Sequence, residues 1–137
     1  PAVAEALERI LLWRARRDVK ASTLLGRTLD RSAEFHELWP LWKTGEDDFG
    51  HPVFCERMAC IQTEALMARF SLSEILLHRT QVHEAIQRSA EEAGRRLGQL
   101  RSKHLHFLDL HGVSLFGFRR ITKHLKPIFK LLEDQYP

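Results

Sequence analysis

The chain has 137 residues, of which 44% are hydrophobic and 28% are charged, and a formal net charge of +3. This composition excludes a disordered or coiled-coil chain and suits about one globular domain. The two cysteines, Cys55 and Cys60, are too few for a disulfide framework or a cysteine zinc site, which indicates a reducing compartment. The N-terminal segment lacks an uninterrupted apolar run, so we expect no signal peptide, no membrane span and a cytoplasmic location.

The N-terminal part of the sequence predicts a small helical unit. Residues 2–17 are rich in Ala, Leu, Glu and Arg, which favour helices. Asp18 is a suitable N-cap for a second helix that extends through Leu29. The acidic, glycine-containing segment 43–50 follows and predicts a loop.

The middle of the sequence predicts a strand followed by a long helix. Between Pro52 and Met58, Val53 and Cys55 alternate with Phe54 and Glu56, and Pro is tolerated at the first position of a strand. Ser71 and Glu74 have the spacing of a capping box, which predicts the start of the long helix. Gly98 is a plausible end for it.

The C-terminal part predicts a second strand and a final helix. The apolar segment 103–113 suits a buried strand that leaves the sheet into a turn. Residues 117–132 are amphipathic, and Pro127 should kink this helix or begin a new one. The apolar stripe of the helix consists of Ile121, Leu125, Ile128 and Leu132.

Strands that alternate with helices predict an α/β fold with a parallel sheet. Two strands alone are too few for a stable sheet with helices of this size. We therefore expect a third strand beyond Pro137, so that the chain resembles an incomplete domain.

The basic residues fall into three clusters that suit anionic partners such as lipid phosphates, a membrane surface or nucleic acid. Each cluster is also compatible with a solvated helix face that has no partner. The clusters are Arg14, Arg16, Arg17 and Lys20; Arg95, Arg96, Arg101 and Lys103; and Arg119, Arg120, Lys123, Lys126 and Lys130.

Four segments carry motifs that occur together in one known family. They read LWRARRDV at residues 12–19, DFGHPVFCER at 48–57, LDLHGVSL at 108–115 and DQYP at 134–137. In this order they resemble the signatures of the Sec14-like CRAL-TRIO family of lipid-binding proteins, and the resemblance spans nearly the whole chain. The first segment departs from the family pattern because it lacks a Phe, and the second because His51 replaces an Arg.

The resemblance implies an N-terminal helical lobe over residues 1–34 and a partial CRAL-TRIO domain over 35–137, in which a sheet flanked by helices floors a pocket for one apolar ligand. The implied function is binding and intermembrane transfer of a phospholipid, such as phosphatidylinositol or phosphatidylcholine, or of another hydrophobic ligand. Such a protein associates peripherally with membranes. The alternative is a regulatory module that docks on a protein or membrane, and a truncated chain with an exposed apolar sheet would dimerise.

The resemblance also indicates which residues contact lipid. It places Arg16 and Arg17 near a headgroup phosphate, where guanidinium groups bind well; the alternatives are a surface basic pair or an ion pair with the loop. Four strand positions would lie on the floor of the pocket, or else contribute only to core packing. They are Val53, Cys55, Leu108 and Leu110.

No motif of the sequence predicts catalysis, a metal or a cofactor. His104 and His106 share a strand face, but the eight histidines lack the spacing of a metal site. There is no nucleophile elbow, phosphate loop or paired carboxylate array, so we do not expect an enzyme. We expect no nucleic-acid partner, because aromatic and basic residues are not interleaved. Trp13, Trp39 and Trp42 suit either a membrane interface or interior packing.

Overall fold

Five α-helices and three β-strands form the part of the chain that the computed structural model describes, residues 2–16 and 29–135. The helices are α1 (Ala2–Arg16), α2 (Ser32–Leu38), α3 (Thr63–Arg69), α4 (Leu72–Arg96) and α5 (Leu115–Gln135). The strands are β1 (Leu41–Glu46), β2 (Pro52–Arg57) and β3 (Leu105–Asp109), and a short 3-10 helix spans Met58–Cys60. The predicted α/β class is confirmed. The helix predicted from Asp18 to Leu29 and the motif end at Tyr136 and Pro137 lie outside the described residues, apart from Leu29 itself.

The three strands form a mixed sheet in the order β1-β2-β3. The strands predicted near Pro52 and within 103–113 are confirmed as β2 and β3, and they pair in parallel. The prediction of a loop over 43–50 is wrong in its first half, because β1 extends to Glu46 and pairs antiparallel with β2. The sheet thus has a third strand that precedes β2, whereas the sequence predicted one beyond Pro137. β1 is an exposed edge strand, so burial imposes little apolar alternation on its sequence.

A tight turn joins β1 to β2. The Asp47 carboxylate accepts hydrogen bonds from the backbone N–H groups of Phe49 and His51, at 3.0 and 2.7 Å. Gly50 has a φ of 79°, a left-handed conformation that favours glycine. The acidic and glycine residues of this segment therefore favour a hairpin turn, and the turn sets the register in which β1 and β2 pair.

The long helix α4 begins as predicted. The Glu74 backbone N–H donates to Ser71 Oγ at 3.3 Å, and the Glu74 carboxylate accepts from the Ser71 backbone N–H at 2.7 Å, which completes the capping box. The helix ends at Arg96, and Gly98 follows with a φ of 63°. Ser71 and Gly98 lie 27 positions apart in the sequence, and the start and the end of α4 predicted from them are both confirmed.

Gly94 in the last turn of α4 makes room for the chain that folds back after the helix. A Cβ atom at this position would lie 2.6 Å from the Gln99 carbonyl oxygen and 3.0 Å from the Arg101 backbone nitrogen. Replacing a helical Gly with Ala ordinarily stabilises a helix by about 1 kcal/mol. Here we expect Gly94→Ala to lower the free energy of unfolding by about 1–2 kcal/mol, because backbone atoms must move. Urea denaturation checks this, with Arg95→Ala in the same turn as a near-neutral control.

The main core lies among the helices. Phe35 and Trp39 from the α2 region, Leu66 from α3 and Ile75 from α4 are all buried there. The predicted stripe of α5 contributes three further residues, Ile121, Leu125 and Ile128. The expectation that a new helix could begin at Pro127 is wrong, because a single helix runs from Leu115 to Gln135 through this residue. The expected domain boundary after residue 34 lies within α2, and Phe35 and Leu38 of this helix are buried in the main core.

Candidate functional site

The two faces of the sheet differ in what covers them. On one face Phe54 packs with Val82 and Ile86 of α4. Successive side chains of a strand point to opposite faces, and in β2 the burial alternates accordingly. Val53 and Cys55 therefore lie on the other face, where each is half-buried.

The strand register extends this second face to β1 and β3. Leu105 is paired with Val53, Phe107 with Cys55, and Trp42 also with Cys55. Phe107 is 58% exposed, Leu105 41% and Trp42 40%. We call the five residues Trp42, Val53, Cys55, Leu105 and Phe107 the open face. An exposed group of large apolar side chains such as this one commonly marks a binding surface.

An ion pair lies at one end of the open face, where β2 and β3 end. Arg57 and Asp109 are the last residues of the parallel strands β2 and β3, and Arg57 Nε lies 2.9 Å from Asp109 Oδ2. A hydrogen bond from the His111 backbone N–H, together with the Arg57 guanidinium, lowers the pKa of the Asp109 carboxyl. The face is therefore apolar along the strands and charged at their carboxyl ends, which is where ligands commonly bind to parallel strands. This arrangement suits an amphipathic molecule.

The structure brings together two of the four strand positions predicted to contact ligand. Val53 and Cys55 belong to the open face. Leu108 pairs in register with Glu56, so it points to the opposite face, and Leu110 follows the end of β3. Leu105 and Phe107, and not Leu108 and Leu110, lie beside Val53 and Cys55 on the open face. Their apolar character and two-residue spacing are the sequence signal for this, but the spacing alone does not tell which face of a sheet is covered.

The predicted phosphate-binding pair lies at the edge of the described chain. Arg16 is the last residue of α1, and Arg17 lies outside the described residues. The helix that carries Arg16 matches the helix predicted over residues 2–17. A role for this pair in binding phosphate stays a prediction.

Under the covered face lies a buried charged cluster formed by Glu56, Arg79, Trp39 and His106. Arg79 Nη2 lies 3.5 Å from Glu56 Oε2, and His106 Nε2 lies 3.0 Å from the same oxygen. Trp39 Nε1 donates to Glu56 Oε1. Burial alone would raise the pKa of Glu56, but His106, Arg79 and Trp39 together lower it. Glu56 is therefore held as a carboxylate inside the protein.

The Arg79 guanidinium joins β2 to α4 through this cluster. It is 2% exposed and lies 4.2 Å from the centre of the Trp39 ring, a cation–π contact. Its Nε and Nη1 have no hydrogen-bond partner among the described residues. The cluster thus fixes the strand that carries Val53 and Cys55 against the helix layer. No local sequence pattern indicates it, because the residues are far apart in the chain.

The histidines near the cluster do not form a metal site. Burial and the neighbouring positive charge of Arg79 lower the pKa of His83 to about 3. The rings of His104 and His106 lie 6.1 Å apart, centre to centre. In the described ranges, no group of three or more His, Cys, Asp or Glu side chains could hold a metal ion.

The three tryptophans have different environments. Trp39 is buried in the main core, and Trp13 packs against Leu29, so both contribute to interior packing. Trp42 lies on the open face. None of the helices in residues 2–16 and 29–135 is both long enough and apolar enough to cross a membrane.

No protein-family model matches the chain. The likeness of its four motifs to the CRAL-TRIO family therefore stays a prediction. The open face, its ion pair and the buried cluster behind it are the features that a function must explain.

Proposed function

We propose that the chain is a Sec14-like CRAL-TRIO module that binds a phospholipid or another hydrophobic ligand on the open face and transfers it between membranes. The observation that carries this proposal is the group of exposed apolar side chains on one face of the sheet. In water these side chains are costly to expose, and contact with an acyl chain would remove them from it. The four family-like motifs support the same conclusion.

The chemistry of the open face suits both ends of such a ligand. Each buried CH₂ group of an acyl chain contributes about 0.8 kcal/mol, so a few contacts with Leu105 and Phe107 give useful affinity. At the charged end, Arg57 can offer its guanidinium to a phosphate, because its present partner Asp109 is partly exposed. Arg16 and Arg17 are further candidates for this contact.

The second candidate is a regulatory interaction module that docks on a protein, on a membrane or on a second copy of the chain. The same exposed Phe107 favours it, since two apolar sheet faces can cover each other in a symmetric dimer. β3 is an edge strand and offers its backbone groups to another chain. The two functions differ in what covers the open face.

Native mass spectrometry with lipid extraction distinguishes the two candidates. For the lipid-binding function we expect a one-to-one complex with an apolar molecule that the extract identifies. A lipid-free dimer would instead support the interaction module. A lipid-free monomer that also fails to load from vesicles would contradict the lipid-binding function and a dimer formed through the open face.

The open face should respond to one substitution in particular. We expect Phe107→Asp to reduce lipid loading from vesicles at least about tenfold, because a charge replaces apolar contact area. Phe49→Asp is the matched control: Phe49 is 73% exposed but lies in the turn between β1 and β2. Fluorescent-lipid transfer and circular dichroism measure function and folding separately. Equal losses in the two folded variants would show that the open face is not the binding surface.

A further inference from the structure

Helix α5 has a buried face and an exposed basic face. Its buried side is formed by Ile121, Leu125 and Ile128, which pack into the main core. On the opposite side, four exposed basic residues follow the i, i+4, i+7, i+11 spacing of one helix face. We call this set the basic stripe; its members are Arg119, Lys123, Lys126 and Lys130.

Two large apolar side chains begin the same exposed face. Leu115 is 81% exposed and Phe116 is 87% exposed. A helix turns by about 100° per residue, so these two residues lie on either side of the line that the basic stripe follows. The stripe then extends for about 16 Å along the helix axis. Large apolar residues next to a row of cations are typical of helices that lie on membranes.

The charge of this segment has one sign. Residues 113–132 contain five Lys and Arg residues and no Asp or Glu. Arg120 forms an ion pair with Glu64 of α3 at 2.8 Å, so it lies to the side of the stripe. Arg119, Lys123 and Lys126 line a shallow hollow with Thr122 and Phe129. The hollow is of a kind that can accept a phosphate oxygen between several cations.

We infer that the exposed face of α5 docks the protein on an anionic membrane surface, with Leu115 and Phe116 inserted between the lipids and the basic stripe above the headgroups. The charge of the stripe is complementary to phosphatidylserine and phosphoinositide headgroups. A nucleic acid would use the same charges, but it would leave the two exposed apolar residues in water. This inference rests on the proposed function in that it names the membrane-docking surface, but docking through α5 requires no ligand on the open face.

Vesicle co-sedimentation of the whole chain tests this inference. We expect binding to phosphatidylcholine vesicles that contain phosphatidylserine, and little binding to phosphatidylcholine alone. Lys123→Gln/Lys126→Gln should weaken binding about 30-fold, since each cation near an anionic surface contributes about fivefold. Raising the salt from about 0.1 M to about 1 M should remove this difference, because the charges are then screened.

Two further variants make the test specific. Arg95→Gln/Lys103→Gln removes the same charge from another exposed basic cluster, and we expect nearly unchanged binding. Phe116→Ser should weaken binding about tenfold, and high salt should not remove this effect, because apolar insertion is not screened.

Three results would overturn the inference. They are no binding to anionic vesicles, equal losses in the two double variants, and tighter binding to DNA or RNA than to vesicles. Phe107→Asp provides the link to the proposed function. It should leave vesicle binding intact while it reduces lipid loading, so failure of one proposal is distinguishable from failure of the other.

Discussion

Glu56→Gln is expected to lower the free energy of unfolding by about 3–5 kcal/mol, the usual cost of leaving a buried charge without its partner. The carboxylate is 3% exposed and is the common partner of Arg79, Trp39 and His106. The variant keeps the shape of the side chain but removes the charge that balances the buried guanidinium. Urea denaturation followed by circular dichroism measures the change.

Two controls separate the buried cluster from ordinary ion pairs. Asp109→Asn breaks the exposed pair with Arg57, and we expect a much smaller loss of stability because solvent screens this pair. Glu56→Gln/Arg79→Met removes both buried charges, so it should cost less than the sum of the two single variants. If Glu56→Gln costs no more than Asp109→Asn, the buried cluster does not stabilise the fold.

Stability is expected to fall as the pH drops from about 6.5 towards about 4.5, before most carboxylates titrate. Burial lowers the pKa of His83 from 6.5 to about 3, and it also lowers the pKa of His104. In the unfolded chain His83 takes up a proton near its ordinary pKa, whereas in the folded protein it stays neutral over this interval; the lowered pKa of His104 acts in the same direction. The unfolded state therefore binds more protons in this interval. Acid favours it by at most about 1.4 kcal/mol per pH unit through His83.

The groups around His83 explain why its pKa is lowered, and replacing His83 provides a control. Arg79 on the same helix, His106 on β3 and His104 just before β3 lower the pKa of His83, whereas Glu56 on β2 raises it. His83→Asn cannot take up a proton, so its stability should depend less on pH between about 6.5 and 4.5. Urea midpoints at several pH values measure the slope. An identical slope in the two proteins would show that His83 is protonated normally in the fold.

Local signals allowed part of the fold to be predicted. Ser71 and Glu74 are three residues apart and contact each other, so the start of α4 could be predicted from a short stretch of sequence. The apolar stripe of α5 could also be predicted locally, because its residues are three or four positions apart. β1 was missed because it is an edge strand whose side chains are mostly exposed, and Gly45 within it and Asp47 just after it are residues typical of turns.

The candidate site depends on contacts between distant parts of the chain. Glu56 meets Arg79 and His106, which come from a later helix and a later strand. Alternation in β2 and β3 indicated which residues share a face, but only the position of α4 decides which face is covered. For this reason Val53, Cys55 and Leu108 could be placed on strands from the sequence, whereas only the structure shows that Leu108 lies on the face opposite to Val53 and Cys55.

The parallel pairing of β2 with β3 has a consequence for the order of folding. β1 and β2 are joined by a tight turn, but α3 and α4 lie between β2 and β3 in the chain. Closing this long connection costs entropy before the strand contacts form, so β3 should join the sheet after the hairpin. During synthesis the hairpin also leaves the ribosome first, and two strands alone are only marginally stable in water. A ligand that spans Cys55 and Phe107 would therefore stabilise the last step of sheet assembly, and the newly made chain would gain its full stability only on loading.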